Sequence, residues 1–158
     1  MFRPRRRTAR GQSLVEMALI LPFMLALAGG AADLARVYQA WMTIESATRN
    51  AAEYAAGQSA NATAAATDAR RIVCLESQSL PGFVAGTGAN PIENCTSPSV
   101  TTTFTTSTTS PGATTKYPMG TARVVVTLDF KTLVPWPMLS RSTITMTADR
   151  TYSVLQGR

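Results

Sequence analysis

The amino-acid sequence predicts an α+β chain in which one long N-terminal helix, half of it in a membrane, packs on a small C-terminal antiparallel β-sheet. Three observations lead there. Residues 14–32 form an apolar run of nineteen residues in which Glu16 is the only charged side chain. Residues 33–56 contain no glycine or proline, and their apolar side chains recur every three or four positions. Residues 122–130 and 143–154 alternate apolar with polar side chains. About 20 apolar residues in a helix span the hydrocarbon of a bilayer. A spacing of three or four marks one face of a helix, and alternation marks a half-buried strand.

The chain begins with a basic leader, residues 1–11. At 158 residues, one membrane segment and one small domain are expected. The net charge of +6 is concentrated in that leader, where Arg3, Arg5, Arg6, Arg7 and Arg10 meet no acid. The remaining residues hold ten basic and nine acidic groups. A basic tail also suits nucleic acid. Beside an apolar helix it is better read as a cytoplasmic topology signal, because basic residues stay inside; no nucleic-acid partner is expected. The leader lacks apolar periodicity and is predicted to be disordered.

Residues 12–32 are the predicted membrane helix. Pro22 removes one backbone donor and favours a kink. Gly29 and Gly30 weaken the helix or let another helix approach. A carboxylate such as Glu16 in an apolar helix is expensive and marks a functional position with a partner. Residues 33–57 continue the helix beyond the membrane. Leu34, Val37, Tyr38, Trp41, Ile44, Thr48, Ala51 and Ala55 read as one apolar stripe. Asp33 with Arg36 and Glu45 with Arg49 are candidate side-chain pairs. Tyr38 and Trp41 suit the membrane interface. Gly57 is the predicted stop, giving a helix of about 40 residues, roughly 60 Å long.

Residues 58–158 make a small extracytoplasmic α+β domain. Residues 58–72 are alanine-rich and predict a second helix ending before Cys74. Residues 74–98 read as loop, from Pro81, Gly82, Gly86, Gly88 and Pro91. Outside the cytoplasm, Cys74 and Cys95 suit a disulfide worth roughly 3 kcal/mol; the other reading is two free thiols. Residues 96–115 hold fourteen Ser or Thr in twenty positions, either a β-prone strand or a flexible insertion. Residues 100–109 would then be a strand and Pro111-Gly112 a turn. In residues 122–130, Val124, Val126, Leu128 and Phe130 share one face. Residues 143–154 place Ile144, Met146 and Ala148 together, and Pro135-Trp136-Pro137 separates the two strands. One helix face on this antiparallel pair buries both.

Histidine is absent from the sequence, so histidine-based acid–base, triad or metal chemistry has no residues to use. No glycine-rich phosphate loop follows a strand. The chain is not expected to be an enzyme or to hold a cofactor or metal.

Arg10-Gly11 followed by Gln12-Ser13-Leu14-Val15-Glu16 resembles the class III signal of type IV pilins and pseudopilins. That resemblance implies cleavage after Gly11 by a membrane prepilin peptidase, leaving Gln12 first and Glu16 fifth. Met17 stands where pilins of this group commonly carry Tyr. The wider stretch of residues 11–56 resembles the TadE-like family of the tight-adherence (Tad, Flp-pilus) systems, through its GQSLVE opening, the Asp33-Leu34-Ala35-Arg36-Val37-Tyr38 step and the Ala-rich end with Tyr54. The resemblance implies a minor pilin or pseudopilin of the bacterial inner membrane, its N-terminus cytoplasmic and its domain periplasmic, with other pilins and the peptidase as partners. Glu16 would pair with the new α-amino group on Gln12 of a neighbouring subunit. The alternative is that Glu16 only snorkels to the headgroups.

Two other readings stay open. An ordinary secretory signal would be cut at Gly30-Ala31-Ala32, releasing a soluble binding module that starts at Asp33. A single-pass envelope protein would keep the anchor without a role in a pilus.

Overall fold

The computed structural model describes residues 10–58, 61–107, 119–133 and 143–155. Arg3, Arg5, Arg6 and Arg7, the Pro111-Gly112 turn and Pro135-Trp136-Pro137 lie outside the described residues. The elements are α1 (Arg10–Gly57), α2 (Ala62–Ser77), β1 (Ser99–Ser107), β2 (Met119–Lys131) and β3 (Thr143–Leu155). The three strands form one antiparallel sheet in the order β1-β2-β3, with β2 in the centre. The α+β architecture, with one long N-terminal helix and a small C-terminal sheet, is the one the sequence predicts.

α1 has 48 residues, longer than expected, and extends roughly 72 Å at the standard rise. It runs through Pro22, Gly29 and Gly30 without a break. Its second half is the spine of the domain. Ala40, Ile44, Ala47, Thr48, Ala51, Ala52 and Ala55 are buried there. The inner face of the sheet lies against them: Val124, Val126, Leu128 and Phe130 from β2, Met146 and Ala148 from β3. Alternation along β2 therefore matches the layer boundary, and Val124, Val126, Leu128 and Phe130, which share one face, are all buried.

The apolar stripe read from residues 34–55 needs correction. Val37, Ile44, Thr48, Ala51 and Ala55 do pack on or in the core. Leu34, Tyr38 and Trp41 flank that face and are 71%, 65% and 40% exposed. Alanines fill the core face instead, because two further layers crowd that side and only small side chains admit their backbones.

α2 also departs from expectation. It starts at Ala62, where the Asn61 side chain caps it by accepting from the Ala64 N–H at 3.1 Å. It does not end before Cys74 but continues to Ser77. Ala65, Ala69, Val73 and Ser77, four residues apart, form its buried face, and packing on that face carries the helix through Cys74. Cys74 and Cys95 are both buried and joined by a disulfide, which ties α2 to the loop before β1. Arg70 reinforces the tie, donating from Nη2 to the Cys95 carbonyl at 2.6 Å. β1 forms from the first half of the Ser/Thr-rich stretch and pairs with β2 in the register Ser99 to Thr127. Near the same end of β2, Gly82 has φ +103°, and a Cβ there would lie 2.1 Å from the Asp129 carbonyl oxygen. Only glycine lets this loop close on the strand.

Candidate functional site

Among the described residues, nothing packs on the first half of α1. Leu14, Val15, Met17, Leu19, Ile20, Leu21, Phe23, Met24, Leu25 and Leu27 are all exposed. Such a surface is far more apolar than a soluble monomer tolerates. Among the described residues, α1 is the one helix long and apolar enough to cross a membrane.

Within this half, Glu16 is exposed and has no hydrogen-bond or ion-pair partner among the described residues. Steps of four, three, four, seven, four and three connect Glu16, Ile20, Phe23, Leu27, Leu34, Tyr38 and Trp41. At 100° per residue these seven share one side of α1, and each is exposed. One apolar ridge, with a single carboxylate near its start, therefore runs from the membrane segment onto the domain half. Gly11 lies in the first turn and meets nothing within 4 Å of an added Cβ. Arg10 and Gln12 belong to the same turn.

The two halves meet at a junction that sequence reading found only in part. Asp33 is 4% exposed. Its Oδ1 accepts from Arg36 Nη1 at 3.2 Å, the predicted pair, and also from the Leu133 backbone N–H at 3.0 Å. The Arg36 guanidinium lies 5.5 Å from the Phe130 ring centroid, a cation–π distance. The end of β2 is thereby fixed to α1 directly after the apolar run. No local pattern signals a contact a hundred residues away. The second predicted pair does not form: Glu45 forms an ion pair with Arg150 of β3, not with Arg49. The sheet lies within reach of Glu45, and a cation fixed on a strand holds its position better than one on a free helix surface.

The other sheet face is polar. Thr101, Thr103, Thr105, Thr121, Thr127, Thr145 and Thr147 alternate outward around Arg123 and Asp149. Arg123 Nε donates to Asp149 Oδ1 at 3.0 Å and Oδ2 at 3.1 Å. That hydrogen bond holds the Asp149 carboxyl below its ordinary range and the Arg123 guanidinium above its own. Among the described residues, no three His, Cys, Asp or Glu side chains gather as a metal site.

A bare apolar helix that continues as the spine of a small sheet domain is consistent with a single-pass membrane anchor. Residues 11–53 match the family model described as TadE-like protein. The match agrees with the resemblance read from the sequence and links the chain to the tight-adherence pilus systems. It begins at Gly11 and lies within α1, so the sheet and α2 fall outside it. The comparisons with curated proteins and with solved structures gave no match.

Proposed function

We propose that this chain is a minor pilin, or pseudopilin, of a tight-adherence pilus system, acting by helix packing and not as an enzyme. The observation that carries this reading is the unbroken α1: the helix that bears Gly11 and Glu16 bare at one end is the spine of the folded domain at the other. Any force between packed helices is passed to the domain without a hinge. The leader stays in the cytoplasm, the apolar half crosses the inner membrane, and the domain stands in the periplasm.

Prepilin peptidase would cut between Gly11 and Gln12. The first turn of a helix has N–H groups without intrahelical acceptors, and glycine holds helix weakly. Opening that turn for a protease therefore costs little. Hydrolysis leaves an α-amino group on Gln12, and such groups are largely protonated at pH 7, with pKa near 8. Glu16 of one subunit then has a cation to meet on the next, and the pair sets the axial register of the ridges. A lone carboxylate within lipid is costly until such a partner arrives.

Intact-mass measurement of the protein from cells that hold the peptidase tests this. The mass should fall by the eleven leader residues, and Gly11→Val should abolish the loss. A mature N-terminus at Asp33 would overturn the proposal in favour of secretion.

A further inference from the structure

Leu133 sits two residues past the end of β2 and is 68% exposed. Its backbone N–H is held 3.0 Å from Asp33 Oδ1. Asp33 is the first residue after the nineteen-residue apolar run, which extends roughly 28 Å as a helix, against about 30 Å of hydrocarbon. With that run in a bilayer, Asp33 marks the outer boundary of the hydrocarbon. Leu133 is then held beside the helix at the same depth. Leu34, 71% exposed, extends the apolar surface on α1. Among the described residues the charges here balance, with Asp33 and Asp129 against Arg36 and Lys131. Both acids are engaged: Asp33 by Arg36 and Leu133, Asp129 by the Thr145 hydroxyl at 2.7 Å.

We propose that Leu133, with Leu34, docks the base of the sheet domain on the membrane surface, its partner being the headgroup–acyl boundary of phospholipid. An apolar side chain at this level gains by entering that boundary. Because the base carries no net charge among its described residues, the contact is apolar and zwitterionic lipid suffices. The domain is then held at two places, by α1 through the membrane and by Leu133 on its surface, and its sheet cannot swing about the helix axis. This inference rests on the membrane-anchor reading.

The test uses the full chain in phosphatidylcholine vesicles. The native cysteines are bridged, so one introduced cysteine takes an environment-sensitive fluorophore alone. Leu133→Cys is compared with Leu21→Cys inside the run and with Thr103→Cys. Thr103 pairs with Arg123, eight strand residues and about 27 Å further from the base. Phospholipids bearing a nitroxide near the headgroup should quench most of the emission from position 133 and leave position 103 unquenched. Nitroxides deep in the acyl chain should quench position 21. If position 21 is quenched and position 133 is as bright as position 103, the surface contact is wrong and the anchor stands. If position 21 also escapes quenching, the anchor reading fails and the contact falls with it. Quenching at position 133 that requires added phosphatidylglycerol would overturn the apolar mode.

Discussion

Two aspartates show how location decides what a carboxylate does in this molecule. Asp33 is buried and survives because Arg36 and a backbone N–H satisfy it; an uncompensated charge there would be costly. Asp149 is exposed on the outer sheet face, and its carboxyl is held low chiefly by the hydrogen bond from Arg123. The native state therefore gives up this proton more readily than the unfolded chain does. Its contribution to stability is present in full above the ordinary aspartate value near 3.9 and is lost as pH falls through the lowered native value. Melting curves of the parent and Asp149→Asn should thus differ slightly at neutral pH and converge in strong acid. A difference that grows on acidification would contradict the sign. The effect is small, since solvent and salt screen an exposed pair.

At the scale of elements, packing between layers decides what local pattern leaves open. The strands were legible because β2 and β3 largely alternate, with Val125 and Arg150 as exceptions, and their apolar sides are the sides that became core. α1 was legible as a helix and, in part, in its orientation: Val37, Ile44, Thr48, Ala51 and Ala55 of the predicted stripe pack on or in the core. Its core face is written mostly in alanine, while Leu34, Tyr38 and Trp41 outrank alanine on any apolar scale and yet face outward. Hydrophobicity alone therefore draws the stripe partly off the core face, because close approach selects for small volume. The expectation at Ala51 follows. Ala51→Leu adds apolar volume to a fully buried position and should cost about 1–3 kcal/mol by overpacking. Leu34→Ala, on the exposed side, should change domain stability by about 0.5 kcal/mol or less. Chemical denaturation of both variants checks this, and equal effects would sink the assignment of faces. α2 was misplaced at both ends for related reasons: its start rests on the Asn61 cap and its end on burial of Val73 and Ser77. The Asp33–Leu133 bond and the Glu45–Arg150 pair join distant segments, and no local spacing encodes them.

As a whole, the molecule is built for two solvents. The domain half of α1 buries one alanine-rich face against the strands and α2, and the other half offers leucine, methionine and phenylalanine to whatever surrounds it. Lipid answers most of that surface but not Glu16. The spacing of Gly11, Gln12 and Glu16 is local and can be read from the sequence; the role given to it is part of the proposal. The partner proposed for Glu16 lies on another subunit, beyond the reach of one chain's sequence or fold. Replacing Glu16 with Gln keeps the shape and removes the charge. Membrane insertion should persist, since losing a charge from an apolar helix eases it. The domain should melt as the parent does, because Glu16 touches none of it. Assembly should suffer: breaking a buried ion pair typically costs about 3–5 kcal/mol. The most direct measurement is therefore co-purification of full-length Glu16→Gln with the other pilins of its system, from membranes in which its level and its melting match the parent. The expected protein is inserted and folded but recovers few of its partners. Recovery equal to the parent's would contradict this and leave Glu16 as a residue that only reaches for the headgroups.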